Sequence, residues 1–148
     1  MRRKMMIALA ALAAALLTTA GIAVAGGGKA TLKLRNTQAG KILVNGRGFT
    51  VYSFSKDRPN TDNCNSTCQR VWPPVTAKGK PVAGPGLKKS LIGTISLPNG
   101  EKQVTYAKHP LYTYIADGGP GETSYIGTFQ AGGKWYALNG SGHLVKHG

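Results

Sequence analysis

The chain has 148 residues and carries 19 Lys and Arg against five Asp and Glu, a formal charge of +14, with three His and two Cys. That length supports one compact domain, or two small halves sharing a core. The positive charge is scattered, with one pair at Lys88-Lys89 and no long basic run. A dedicated nucleic-acid groove is therefore not indicated, whereas the summed field favours anionic polymers or surfaces.

Met1-Arg2-Arg3-Lys4 is a charged head, Met5 to Leu17 an apolar run, and Ala23-Val24-Ala25 fits the small-x-small rule for cleavage. Residues 1–25 read as a secretory signal peptide. The apolar core is short for a spanning helix, which needs roughly 20 residues, and nothing later is apolar for longer. Cleavage after Ala25 leaves 123 residues and removes Arg2, Arg3 and Lys4, so the charge falls to about +11.

Residues 26–37 form a Gly-rich leader and a first strand, because Thr31-Leu32-Lys33-Leu34-Arg35 alternates apolar and polar with period two. Asn45-Gly46, Asn99-Gly100 and Asn139-Gly140 lie beside strand-like sequence, and Asn and Gly tolerate the positive φ angles of tight turns. They predict hairpins over 41–55, 91–106 and 134–146. Asn45-Gly-Arg-Gly48 and Asn139-Gly-Ser-Gly142 share one form. One helical turn is predicted at Thr67–Val71, capped by Asn65 or Ser66 and stopped by Pro73-Pro74. Residues 76–97 are a Gly-, Pro- and Lys-rich linker followed by a connecting strand from Leu91.

The centre of the chain is written twice. Gly40 to Asp57 aligns without a gap to Gly100 to Asp117, an offset of 60 residues, with Val44/Val104, Tyr52/Tyr112, Phe54/Tyr114 and Asp57/Asp117 coinciding. Trp72 and Trp135 follow the two copies. One supersecondary unit is thus used twice, as repeat 1 (38–75) and repeat 2 (98–140), with a tail at 141–148. In each copy the tyrosine and the aromatic two residues on share one strand face, and Val51 or Leu111 points the other way. Packing explains these aromatics. Asp57 and Asp117 fall where the strands end, where a carboxylate shapes a turn by accepting backbone N–H groups two residues on.

Tyr52-Ser-Phe54-Ser-Lys-Asp57 and Tyr112-Thr-Tyr114-Ile-Ala-Asp117 are two copies of Tyr-x-(Phe/Trp/Tyr)-x-x-Asp. Together with Cys64-x-x-x-Cys68-x-x-x-Trp72-Pro-Pro and Gly132-Gly-Lys-Trp135-Tyr, they make residues 38–140 resemble the bacterial "secreted repeat of unknown function" family of predicted lipoproteins. The resemblance implies an exported, envelope-associated, β-rich protein with no established activity. Unlike many such relatives, this chain has no cysteine at the cleavage site, which favours free secretion.

Export places Cys64 and Cys68 in an oxidising compartment, so a disulfide pinning a local turn is the default, at one edge of the fold. Metal ligation or redox cycling are the alternatives, although the spacing is not Cys-x-x-Cys. His143 and His147 read as an exposed tail. No Gly-x-Ser-x-Gly elbow, phosphate loop or dinucleotide fingerprint is present. The expected fold is all-β: a single small domain of two pseudo-repeated β-hairpin units in a sandwich or barrel-like arrangement, with Trp72 and Trp135 as core anchors. The expected function is that of a non-catalytic secreted or envelope protein binding anionic surface polymers. It needs no cofactor, metal or catalytic residue, has no specific nucleic-acid partner and has no transmembrane segment once the signal is removed. An envelope metal or redox accessory using Cys64 and Cys68, and an enzyme acting on cell-wall polymers through Asp57 and Asp117, are the alternatives.

Overall fold

The computed structural model describes residues 31–148, so the signal peptide and the leader at 26–30 lie outside the described residues. The alternation at the start becomes β1 (Leu32–Thr37), which returns as β2 (Gly40–Asn45) in an antiparallel hairpin with Leu32 opposite Asn45. At Asn45-Gly-Arg-Gly48 the asparagine side chain makes the turn. Its Oδ1 accepts from the N–H groups of Arg47 (3.0 Å) and Phe49 (3.1 Å). The positive φ falls on Gly48 (93°), not on the Asn-Gly pair itself. Asn139 does the same for Ser141 and His143, with Gly142 at 84°. The shared sequence form therefore encodes an acceptor side chain four residues long in reach.

The hairpin expected over 41–55 forms only at its tip. One bridge joins Val44 to Thr50, and the chain then leaves β2. β3 (Tyr52–Phe54) pairs instead with β8 (Gly133–Leu138), placing Tyr52 opposite Ala137 and Phe54 opposite Trp135. Pairing there buries both rings against indoles, which continuing along β2 would not do. A single helical turn, α1 (Ser66–Gln69), follows, with Asn65 as its cap accepting from the Cys68 N–H at 3.0 Å. The second hairpin is β4 (Ile92–Ser96) with β5 (Lys102–Tyr106), and β6 (His109–Pro110) adds to β5. β7 (Phe129–Gln130) and β9 (Leu144–Val145) flank β8.

The two repeats are interlocked. The Tyr52 N–H donates to the Tyr112 carbonyl (2.8 Å) and the Tyr112 N–H donates to the Tyr52 carbonyl (2.9 Å). A pseudo-twofold axis passes between them. Outside this pair, Tyr52 of repeat 1 lies opposite Ala137 of repeat 2, and Tyr112 of repeat 2 bridges Pro74 of repeat 1. Each motif strand thus takes its outer partner from the other copy. The protein is nearly all β, in several antiparallel sheets, and among the described residues they do not close into a barrel.

Strand alternation divides the interior. Tyr52, Phe54, Trp72, Tyr112 and Trp135 form an aromatic core, while Val51 and Leu111 point to a second core with Leu32, Leu43, Val104 and Leu138. Gly133 is required by the first: a Cβ there would stand 2.7 Å from a Phe54 ring carbon and 2.8 Å from Ser55 Oγ.

Candidate functional site

The aromatic and acidic residues of the doubled motif converge on the pseudo-twofold axis. Trp72 and Trp135 are both fully buried and stack on each other, with centroids 3.9 Å apart and planes 2° from parallel. Phe54 of repeat 1 stacks on Trp135 (4.3 Å), and Tyr114 of repeat 2 stacks on Trp72 (4.0 Å). The result is a four-ring pile that alternates between repeats. Tyr52 meets Trp72 edge-on, and Tyr112 meets Trp135 edge-on, both at 5.2 Å. Such pairs contribute about 0.5–1.5 kcal/mol each beyond burial of area. A buried indole N–H needs an acceptor, and Gln130 serves both: its Oε1 accepts from Trp72 Nε1 (2.7 Å) and its carbonyl from Trp135 Nε1 (3.0 Å).

The aspartates are exchanged too. The Tyr112 hydroxyl donates to Asp57 Oδ2 at 2.8 Å, and the Tyr52 hydroxyl donates to Asp117 at 3.1 and 3.2 Å. Neither aspartate takes an N–H two residues on. Asp57 Oδ1 accepts from the Asn63 N–H, six residues away, at 2.7 Å. Tethering between copies joins a wider loop-shaping bond at Asp57 and stands alone at Asp117, because each strand end sits under the other repeat's tyrosine. Burial pushes the Asp57 carboxyl up to about 7 against the lowering effect of its Asn63 and Tyr112 donors. Burial likewise raises Asp117 to about 6. Both phenols are pushed up by burial and by the carboxylates beside them. They therefore remain protonated donors.

Cys64 and Cys68 are disulfide-bonded with Cα atoms 5.3 Å apart. They do not sit at an edge: both are buried in the aromatic core, because α1 turns Cys68 onto that cluster and the disulfide holds Cys64 beside it. Bonded to each other, the two sulfurs offer no thiolate. Burial lowers the pKa of His109, while His143 and His147 are exposed. Among the described residues no group of three or more His, Cys, Asp and Glu is close enough to hold a metal ion.

Charge is distributed in the opposite manner. The five acids take their hydrogen bonds from neutral donors: Asn63 and Tyr112 on Asp57, Cys64 and Gln69 on Asp62, Asn99 on Glu101, Tyr52 on Asp117, and Thr123 with Ser124 on Glu122. Among the described residues every Lys and Arg except the half-buried Lys33 is exposed. Four of them meet at a groove of about 760 Å³ lined by Lys78, Lys80, Lys89 and Lys102, with Pro81, Val82 and Ile92 among its apolar residues. The expectations from sequence did not single out this cluster. Its signal was the Lys78-Gly-Lys80 and Lys88-Lys89 spacing within one linker, but Lys102 joins it only through the β4–β5 hairpin.

The family described as "secreted repeat of unknown function" matches the chain twice, at residues 33–76 and 93–139. Each match begins with a hairpin, β1–β2 or β4–β5, and ends just beyond the tryptophan. No curated protein and no solved structure matches the chain. With both copies covered, over more than half of its length, this protein belongs to the family of secreted repeats of unknown function.

Proposed function

We propose that the protein is a non-catalytic component of the cell envelope or its surroundings that is held to anionic surface polymers by its positive charge. The observation that carries this reading is the pairing pattern of the acids. All five are satisfied by neutral donors, so they do not draw lysines or arginines into local ion pairs, and the excess charge stays at the surface to act on a partner. The interlocked aromatic core supplies a rigid support, and its carboxylates are engaged by tyrosines and line none of the grooves described. Association of this kind weakens as salt screens the charges, over a Debye length of about 8 Å at physiological ionic strength. On a resin carrying an anionic polymer, the secreted protein is expected to bind at low salt and to elute over a salt gradient. Failure to bind at low salt, or retention that ignores ionic strength, overturns the reading.

A further inference from the structure

The groove of about 760 Å³ has a construction that diffuse surface charge does not explain. The linker after repeat 1 is fastened at two points. Near its start, the Ala77 N–H donates to the Lys102 carbonyl (3.0 Å). Further on, the Thr31 N–H donates to the Val82 carbonyl (2.8 Å), and the Gly84 N–H donates to the Leu32 carbonyl (2.8 Å). Gly84 permits this second attachment, since a Cβ there would stand 2.8 Å from the Leu32 carbonyl oxygen. Between the two fastenings, Lys78-Gly-Lys80-Pro81 stands as one wall. The opposite side is β4, with Lys102 on the neighbouring strand and Lys89 at the end. The four lysines are exposed, the Lys102 ammonium donating to the Ser96 hydroxyl, and no acid lines the groove.

We infer that this groove is a binding site for a linear polyol-phosphate chain, an aliphatic phosphodiester polymer; the inference rests on the electrostatic reading above and gives it a site and a ligand class. All four cations are lysines. Lysine is a point-charge partner for phosphate that imposes no fixed two-pronged geometry, as arginine would, so lysines alone suit a flexible chain whose charges are not held in one orientation, and no arginine lines the groove. Single-stranded bases are held by aromatic stacking platforms, and no aromatic residue lines it either. Its apolar residues, Pro81, Val82 and Ile92, suit short aliphatic units between phosphates.

The test uses the secreted chain, synthetic poly(glycerol phosphate) as probe, and two variants of equal net charge. One replaces the groove cations (Lys78→Gln, Lys80→Gln, Lys89→Gln, Lys102→Gln); the other replaces Lys41, Lys56, Lys108 and Lys134, which lie outside it. Four phosphate contacts in a flexible strand give a salt slope of about −3, so the groove variant is expected to lose roughly 100-fold in affinity near physiological salt and most of that slope. The control variant is expected to change by less than about threefold. Amide shifts in the wild type on titration should concentrate at Val82, Ile92, Gly93 and Thr94. Equal losses in the two variants, or shifts spread over the whole surface, overturn the groove while leaving the electrostatic reading intact. Tighter binding of polyglutamate or single-stranded DNA than of poly(glycerol phosphate) overturns the ligand class. A wild type that binds none of the three polymers overturns both proposals.

Discussion

The two repeats are nearly equivalent at the axis and unlike away from it. Each contributes one tryptophan to the central stack, one aromatic ring to cap the other's indole, one tyrosine to tether the other's aspartate and one strand that pairs with the other copy. Beyond that, repeat 1 closes its loop with α1 and the Cys64–Cys68 disulfide. Repeat 2 has no cysteine and instead spans from Asp117 to β7 with a turn in which Glu122 accepts from the N–H groups of Thr123 and Ser124. The Ser124 hydroxyl, which also donates to it, and then those N–H groups hold the Glu122 carboxyl below its usual range. Even the indole acceptors are unequal, because Gln130 of repeat 2 serves both. Symmetry is kept where one copy is the other's packing partner and is relaxed where each copy meets solvent.

The largest expected effect comes from breaking the symmetric part. Trp72→Ala and Trp135→Ala should each cost about 3–5 kcal/mol, as large-to-small changes in a full core do. The two losses should be similar, since each indole carries one stacked ring of the other repeat. Chemical denaturation measures both, and a difference of more than half between them would mean that the repeats are not mutually supporting. The next effect sharpens the asymmetry. Replacing Cys64 and Cys68 together by Ala opens a very short loop and should cost about 2 kcal/mol by chain entropy, a loss that has no counterpart in repeat 2.

Smaller still are the tethers. Tyr112→Phe should cost about 1–2 kcal/mol, spanning the upper end for a neutral partner and the lower end for a charged one, and more than Tyr52→Phe. The Tyr112 bond is the shorter, and Asp57 is pushed further up by burial than Asp117. Equal costs would contradict that ranking. Gln103 offers a change of opposite sign. It aligns with Leu43, is fully buried, and its Oε1 has no partner among the described residues. Its Nε2 donates to the Leu111 carbonyl, which also accepts from the Val75 N–H. Gln103→Leu, copying repeat 1, therefore leaves no acceptor unpaired and should raise stability by about 1 kcal/mol. A thermal shift downward would show that the amide is doing something the hydrocarbon cannot.

A further effect is one of pH. Asp57 and Asp117 bind protons more tightly in the folded protein, at about 7 and about 6, than in the unfolded chain, where the ordinary value is 3.8. Their contribution is therefore fullest below the unfolded value and is lost as pH rises through 6 to 7. Against an Asp57→Asn, Asp117→Asn double variant, the wild-type melting temperature should gain as pH falls from 8 to 5. Parallel pH profiles for the two proteins would contradict the shift.

The doubled motif was legible because its chemistry is local. Alternation placed Tyr52 and Phe54 on one face and Val51 on the other, and the cores divide along that line. The hairpin at 91–106 and the cap at Asn65 were legible for the same reason, since turn and cap residues act on their own neighbours. The partner of β3 was not. Sequence adjacency points to β2, but β8, some 80 residues on, offers a tryptophan to bury. The reach of each aspartate was misread likewise, because a carboxylate at a strand end looks the same whether its donor is two residues away or in the other copy.

Sequence by itself determined that one unit occurs twice, that its aromatics face inward, and that a strongly basic protein would result, because periodicity and composition need no partner to be read. Tertiary structure alone decided that the copies exchange strands, rings and hydroxyl–carboxylate bonds, and that four lysines from a linker and a hairpin line one groove. The physical reason is that burial and cross-chain pairing are properties of distances in space, and residues far apart in the chain acquire those distances only when both repeats close on each other.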